Sequence, residues 1–272
     1  MRIKTELARL DLKARKSLGQ NFLHDEAALE SILHAADLRQ DDSVLEIGAG
    51  LGIMTDRLAM AAGQVVALEL DPHLYAYLKE RLKDRKNLHL LNQDILKYEG
   101  RELPETGVKV IANLPYYIST PILMHLIEKI RRFSLILVML QKEVAERITA
   151  GPGTKKYGSL SVAIQYHTEA EIVIPVPRTA FHPVPAVDSA VVKLTVRKEP
   201  PVTVPDEDAF FRFVRAAFAQ RRKTLRNSLI GSGISPPAQL DQAFRTAGID
   251  SNRRAETLSI EEFARLARIL HE

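Results

Sequence analysis

The stretch EIGAGLG, Glu46 to Gly52, sets glycines at 48, 50 and 52 between an apolar run and a helical pattern. In an α/β chain such a turn is where backbone comes close to a nucleotide ligand. A dinucleotide fingerprint asks for glycines at its first, third and sixth places, so that a pyrophosphate can settle on the helix start. Here the sixth place is Ile53. An adenosyl ligand without phosphate needs only the close backbone approach, and the departure points toward that ligand. Glu69 closes the second apolar run in ALELD, close to the roughly 20-residue offset at which an acid grips ribose hydroxyls. Asp94 closes the third in LLNQD and is placed to accept from an adenine amino group. A glycine turn alone also serves as a plain strand-to-helix connection. The acids at two successive strand ends favour binding over that alternative.

These residues resemble the Rossmann-like methyltransferases that use S-adenosylmethionine, in which an acidic residue before the glycines, here Glu46, lies near loop and ligand. NLPYYISTP, Asn113 to Pro121, then follows the fourth apolar run, VKVIA, at the same edge. An adenine N6 amine is a poor nucleophile because its lone pair is delocalised into the ring. The Asn113 side-chain carbonyl and the Leu114 backbone carbonyl are placed to accept its two N–H bonds and localise that lone pair. Pro115 fixes the turn and keeps Leu114 out of a helix. Tyr116 stacks on the base, an interaction worth about 1–3 kcal/mol. No strong general base is required, since the attacked nitrogen becomes acidic once it carries positive charge. The competing reading is a turn with its aromatics packed inward, and Tyr117 is assigned to the core on that ground. Phe181, in a loop stiffened by Pro183 and Pro185, is either a second aromatic for a base sandwich or a core phenylalanine. His182 reads as a loop residue.

The elements that must position these residues follow from periodicity. SVLEIG, QVVALEL, NLHLLNQD, VKVIAN and SLILVML are β-type runs, and helical stretches such as TDRLAMAA, PHLYAYLKERLK and TPILMHLIEKI come between them. That alternation predicts a mostly parallel sheet covered on both faces. AEIVIPV and SAVVKLTV are joined by a proline-rich loop instead of a helix, which predicts an antiparallel pair at one edge. RKEPPVTVPDED, Arg197 to Asp208, reads as a linker. Beyond it the pattern is helical, with a capping box at Ser259 and Glu262 and stops at Gly231 and Gly248. The expected layout is an α/β domain over 1–198 with a basic N-terminal segment, and a small all-α domain over 199–272.

With 272 residues and 46% apolar content the chain can bury a proper core. Its longest apolar run, Leu135 to Leu140, falls well short of the roughly 18 residues of a membrane span. The N-terminal stretch lacks the apolar core of a secretory signal, so the expectation is a cytoplasmic protein. Absence of cysteine excludes thiolate nucleophiles, thiolate zinc sites and disulfides. The eight histidines show no metal-type spacing, and no metal is expected. A net charge of +4 is a mild bias toward a polyanion. Arg221, Arg222, Lys223 and Arg226, without an intervening acid, are candidate phosphate contacts; on one continuous helix Arg215, Arg222 and Arg226 would share a face, which a break near Gln220 would spoil. Lys155 and Lys156 after the flexible GPGT form a second candidate, and Lys13, Arg15 and Lys16 a third.

The whole set is similar to the ribosomal RNA adenine N6,N6-dimethyltransferases of the small subunit (16S), the kasugamycin-resistance family. The segments SLGQNFLHD, VLEIGAGLGIMT, IANLPYYISTPIL, YGSLSV, FHPVPAVDSAVV, AFAQRRKTLRNSL and AETLSIEEFARLA carry that likeness across nearly the whole chain. It implies that Asn21, Leu23, Gly48, Gly50, Glu69, Asp94 and Asn113 line S-adenosylmethionine, and that Asn113, Leu114, Tyr116 and Phe181 hold the adenine. It also implies dimethylation of two adjacent adenosines near the 3′ end of small-subunit rRNA and an immature subunit as partner; separately, a monomer is expected. Large-subunit enzymes of macrolide resistance share NLPY-like and QNFL-like segments, and the helical tail favours the small-subunit branch. Two other classes remain in view. A non-catalytic assembly factor has no use for an intact Asn-x-Pro-Tyr, and a nicotinamide oxidoreductase is disfavoured by Ile53.

Overall fold

The computed structural model describes residues 3, 6, 7, 14, 15 and 18–271. The chain divides into two compact units, one running to Ala145 and resuming over Glu169–Val196, the other made of Glu146–Thr168 and the chain from Arg197 onward.

In the first unit the β-branched runs form the strands that alternation predicts. They are β2 (Ser43–Ile47), β3 (Gln64–Leu68), β4 (Leu88–Leu91), β5 (Val108–Asn113) and β6 (Phe133–Gln141). A two-residue strand, β1 (Phe22–Leu23), precedes them, and β7 (Thr168–Val176), β8 (Phe181–His182) and β9 (Ser189–Val196) follow. Seven of these make one sheet in the order β4-β3-β2-β5-β6-β9-β7. β2 pairs in parallel with both β3 and β5, and β9 runs antiparallel to β6 from Leu135↔Thr195 to Gln141↔Ser189. Strands buried on both faces explain the near-continuous apolar composition: Val44, Val65, Val66, Ala67, Val110, Ile111, Ile136 and Val138 have essentially no exposed surface. Strand order reverses between β2 and β5, which opens a crevice at their carboxyl ends, the place where doubly wound sheets bind ligands.

Two helices of this unit start on aspartates whose side chains accept from free N–H groups of the first turn. Asp25 accepts from Ala28 N to begin α1 (Glu26–Ala36). Gly52, at φ 74°, opens α2 (Ile53–Ala61) where a Cβ would lie 2.5 Å from a Leu78 methyl. Asp71 caps α3 (Pro72–Arg81), whose first residue is the proline that suits that position. α4 (Ser119–Glu128) follows the NLPYY turn. The β1 and β8 strands form a separate two-stranded ladder, Phe22↔His182 and Leu23↔Phe181.

The second unit holds α6 (Ser159–His167), α7 (Glu207–Ala217), α8 (Leu225–Gly231), α9 (Pro237–Ala247) and α10 (Ile260–His271); α5 (Lys142–Ile148) runs across the boundary between units. This grouping departs from a single break at 198/199. The reason is packing: Tyr157, Val162 and Tyr166 belong to the same buried cluster as Phe210, Leu225, Leu229 and Phe263. The Tyr166 ring lies 5.4 Å from Phe210 and 5.3 Å from Phe211. The capping box forms, Ser259 N donating to Glu262 and Glu262 N to Ser259 Oγ. Gly248 ends α9 in the left-handed region, while Gly231 is the last residue of α8 and not its stop. The continuous basic helix does not exist. α7 ends at Ala217, and Thr224 starts α8 afresh by accepting from Asn227 N.

Candidate active site

The carboxyl ends of β2, β3 and β5 surround a cleft of about 130 Å³, open to solvent. It brings together Asn21, Leu23, Glu46, Gly48, Gly50, Glu69, Asp94, Asn113, Leu114 and Tyr116. Leu68 O takes the N–H groups of Gly48 and Ala49 at 2.9 and 3.1 Å. Glu69 is 6% exposed and accepts from Gly50 N and Asp71 N, both at 2.8 Å, so the acid at the end of β3 holds the glycine turn by its backbone. Burial raises its carboxyl above the usual carboxylate range. Gly48, at φ 79°, faces Asn113: a Cβ there would stand 3.8 Å from the Asn113 carbonyl, and the floor between turn and asparagine is bare backbone. Asp94 spends one oxygen on Leu96 N at 3.0 Å and keeps the other.

Glu46 has no exposed surface, and neither of its carboxyl oxygens has a hydrogen-bond partner among the described residues. Burial pushes its carboxyl up to about 8; the Thr55 hydroxyl tempers this without forming a well-aligned bond, and the Glu69 charge adds to it. Among the described residues, those lining the cleft include three acids and neither lysine nor arginine. Bare glycine for close approach, acids for hydroxyls and an amine, and no cation for a phosphate fit an adenosyl cofactor of positive charge. Among the described residues no group of three or more His, Cys, Asp or Glu is placed to hold a metal ion. Glu69→Ala is expected to raise the cofactor dissociation constant about tenfold to a hundredfold, from the lost charge-assisted bonds. Calorimetric titration that finds it unchanged removes Glu69 from the site.

Asn113 ends β5 with its side chain anchored, Nδ2 donating to Asn21 O at 3.0 Å. That bond sets the amide so that Oδ1 is the acceptor left over. Leu114 N is spent on Met139 O at 3.2 Å. Tyr116 and Tyr117 start a single 3₁₀ turn, and the Tyr116 hydroxyl shares a hydrogen with Ser189 Oγ at 2.5 Å, which fixes the ring. Burial raises the Tyr116 phenol above its ordinary value, so it stays protonated.

Two aromatic assignments need correction. Tyr117 is not core: it is 53% exposed, lines the cleft, and lies over Gly19, whose missing side chain leaves room for the ring. Phe181 has no exposed surface and is not among the residues lining the cleft. Its pairing with Leu23 in the β1–β8 ladder directs it into the core beside Val176 and Val191. Sequence reasoning also missed Asp71 and Gln20. Asp71 caps α3 through His73 N and receives Gln20 Nε2 at 3.2 Å and Arg15 Nε at 3.4 Å, which fastens the segment before β1 to the cleft wall. The Asp-Pro helix start was the available signal for it. Lys13 and Lys16 lie outside the described residues.

In the second unit Lys155, Arg221, Arg222 and Lys223 are exposed, and Arg221 donates to Lys155 O at 2.6 Å, so the two basic loops form one patch. Lys156 is also exposed and pairs with Glu146 at 2.5 Å. Arg226 is corrected: it makes a two-pronged bond to Asp241 at 2.6 and 2.8 Å and fastens α8 to α9.

A doubly wound sheet whose carboxyl-end cleft carries a bare glycine turn, ribose-type acids and an anchored Asn-Leu-Pro-Tyr turn is the layout of an S-adenosylmethionine-dependent methyltransferase. The family model for ribosomal RNA adenine dimethylase matches residues 11–272. The chain belongs to that family. It is 48% identical over 278 aligned positions to the ribosomal RNA small subunit methyltransferase A of Geobacillus thermodenitrificans, covering 99% of this chain and 95% of that one. The protein of the same name from Bacillus pumilus is 46% identical over 100% of this chain and 96% of its own. Among solved structures, a dimethyladenosine transferase from Plasmodium falciparum superposes with TM-score 0.80 at 26% identity, covering 90% and 95% of the two chains. The 23S rRNA methyltransferase ErmE superposes with TM-score 0.72 at 30% identity, covering 93% and 100%.

Proposed function

We propose that this enzyme, an S-adenosylmethionine-dependent rRNA adenine dimethyltransferase, converts two adjacent adenosines near the 3′ end of small-subunit rRNA to N6,N6-dimethyladenosine and contributes to subunit biogenesis. It works in the cytoplasm as a monomer on an immature small subunit. The observation that carries the reading is the anchored Asn113, whose Nδ2 is held by Asn21 O and which lines the cleft together with Leu114. When bound, the cofactor supplies an electrophilic methyl group. The chain's own residues do the rest. Oδ1 of Asn113 and the Leu114 carbonyl accept the two N6–H bonds and turn the lone pair out of the ring plane. Tyr116, its ring held through Ser189, stacks on an adenine extruded from the RNA. Once N6 has gained a methyl it is acidic and loses its proton to water, so neither Tyr116 nor Glu46 has to act as a base.

The 46–48% identity to small-subunit enzymes against 30% to ErmE supports the small-subunit choice. Undermethylated small subunits incubated with labelled cofactor are expected to yield N6,N6-dimethyladenosine on nucleoside analysis, with large subunits in parallel unlabelled. Label confined to large-subunit RNA overturns the substrate.

The patch of Lys155, Lys156, Arg221, Arg222 and Lys223 is assigned to the RNA backbone. Joint replacement of Arg221, Arg222 and Lys223 by alanine is expected to weaken RNA binding and to lower its log–log salt slope by about one for each phosphate no longer neutralised. Arg226→Ala, by contrast, should loosen the α8–α9 pair and leave that slope alone. A filter-binding titration at several salt concentrations separates the two.

A further inference from the structure

Glu46 sits one residue from the end of β2, between Ala67 of β3 and Ile111 of β5, fully buried and lining the cleft. The turn that follows it carries backbone N–H donors of the kind a carboxylate accepts from. Here those donors are spent elsewhere: Gly48 and Ala49 on Leu68 O, Gly50 on Glu69. Both Glu46 oxygens are left without partners among the described residues.

Among the described residues the surrounding elements bring no counter-charge to Glu46. α2 contributes the Thr55 hydroxyl, itself unpartnered, and the end of β3 contributes the acid Glu69. The turn after β4 brings Asp94 to the same cleft, and the segment before β1 brings the neutral Gln20 and Asn21. Lys109 of β5 lies toward the start of that strand, where it is paired with Asp42 at 2.8 Å. A carboxyl so placed is a neutral acid until a cation enters the cleft.

The cofactor carries one net positive charge, on its sulfonium, and the demethylated thioether product carries none. We propose that Glu46 gives up its proton to solvent when the sulfonium cofactor binds and takes one back when the thioether product is left, so that it tells cofactor from product by charge. This rests on the cofactor reading above. Cofactor affinity then rises by about tenfold per pH unit over the range in which the free protein holds that proton, while product affinity is nearly flat. Burial, which pushes the free carboxyl up to about 8, sets the upper end of that range.

The test is calorimetric titration of the full chain with S-adenosylmethionine, and separately with S-adenosylhomocysteine, in buffers of different ionisation enthalpy near neutral pH. The expected result is release approaching one proton per cofactor and close to none per product, with Glu46→Gln binding both ligands and releasing none. Equal release for both ligands, or unchanged release in Glu46→Gln, overturns the proposal. Absence of any cofactor heat overturns the cofactor reading beneath it, a different result from binding without proton release. Should Glu46→Gln not fold, infrared difference spectra of the wild-type chain decide. Loss of a protonated-carboxyl band on adding cofactor supports the assignment, and its persistence ends it.

Discussion

Asn113→Ala is expected to lose methyl transfer by at least about a hundredfold to a thousandfold in kcat, the scale seen when one positioned polar group is removed from a reacting centre. RNA affinity should be unchanged, because the exposed basic patch lies in the other unit of the chain. Cofactor affinity should fall by no more than about tenfold, the cost of the one hydrogen bond to Asn21 O. Asn113→Asp sharpens the test. It keeps an acceptor but loses the donor that anchors the side chain, so it should also be poorly active, with its loss in kcat and not in KM. Single-turnover rates at saturating cofactor, with filter binding of RNA in parallel, measure both. Equal loss of binding and transfer in Asn113→Ala would refute the assigned role.

The cofactor-free protein is expected to lose stability as pH rises from about 4.5 to about 8. The folded-state value of the Glu46 carboxyl lies above its unfolded value of 4.5. Below 4.5 the group is protonated in both states and costs nothing. Between the two values the unfolded chain ionises while the folded chain does not, which favours unfolding, and above about 8 the penalty is constant. A tenfold difference in acidity between the two states corresponds to about 1.4 kcal/mol, so the full effect is on the order of 5 kcal/mol. At roughly 2–4 °C per kcal/mol for chains of this size, the melting temperature should fall by about 10–20 °C across that window. Glu69, raised in the same direction, adds to the slope. Glu46→Gln should flatten most of it, as read by thermal melts at closely spaced pH values. A wild-type melting temperature indifferent to pH there, or an equal slope in Glu46→Gln, contradicts the account.

What can be read from the sequence is what is local. Strands buried on both faces announce themselves as apolar runs, and a glycine turn with acids at the next two strand ends is a spacing, so the order of elements and most of the cleft are legible. The failures in the side chains are questions of which way each one faces after a long-range contact. Phe181 stays open between base and core because its direction is set by a two-residue strand pairing with Leu23, far away in the chain. Tyr117 reads as inward once its neighbour Tyr116 has the outward role, whereas a 3₁₀ turn leaves Tyr116 half-buried and Tyr117 exposed. Arg226 looks like a free cation because Asp241, its partner, belongs to the next helix. The segment 146–168 carries no compositional mark of joining the helical unit; only the packing of Tyr157, Val162 and Tyr166 reveals it.

The β1–β8 ladder gives the cleft two kinds of wall. Its floor is the seven-stranded sheet, whose central strands cannot part without unfolding the unit. The wall that carries Gln20, Asn21 and Leu23 is fastened by two residue pairs and by a few side-chain contacts to Asp71 and Asn113. The shape of the site and the rate at which its occupant is exchanged are therefore governed by different parts of the chain. Amide hydrogens of residues 20–23 should exchange by a local opening much cheaper than the global one, and turnover can be tuned there without disturbing the floor.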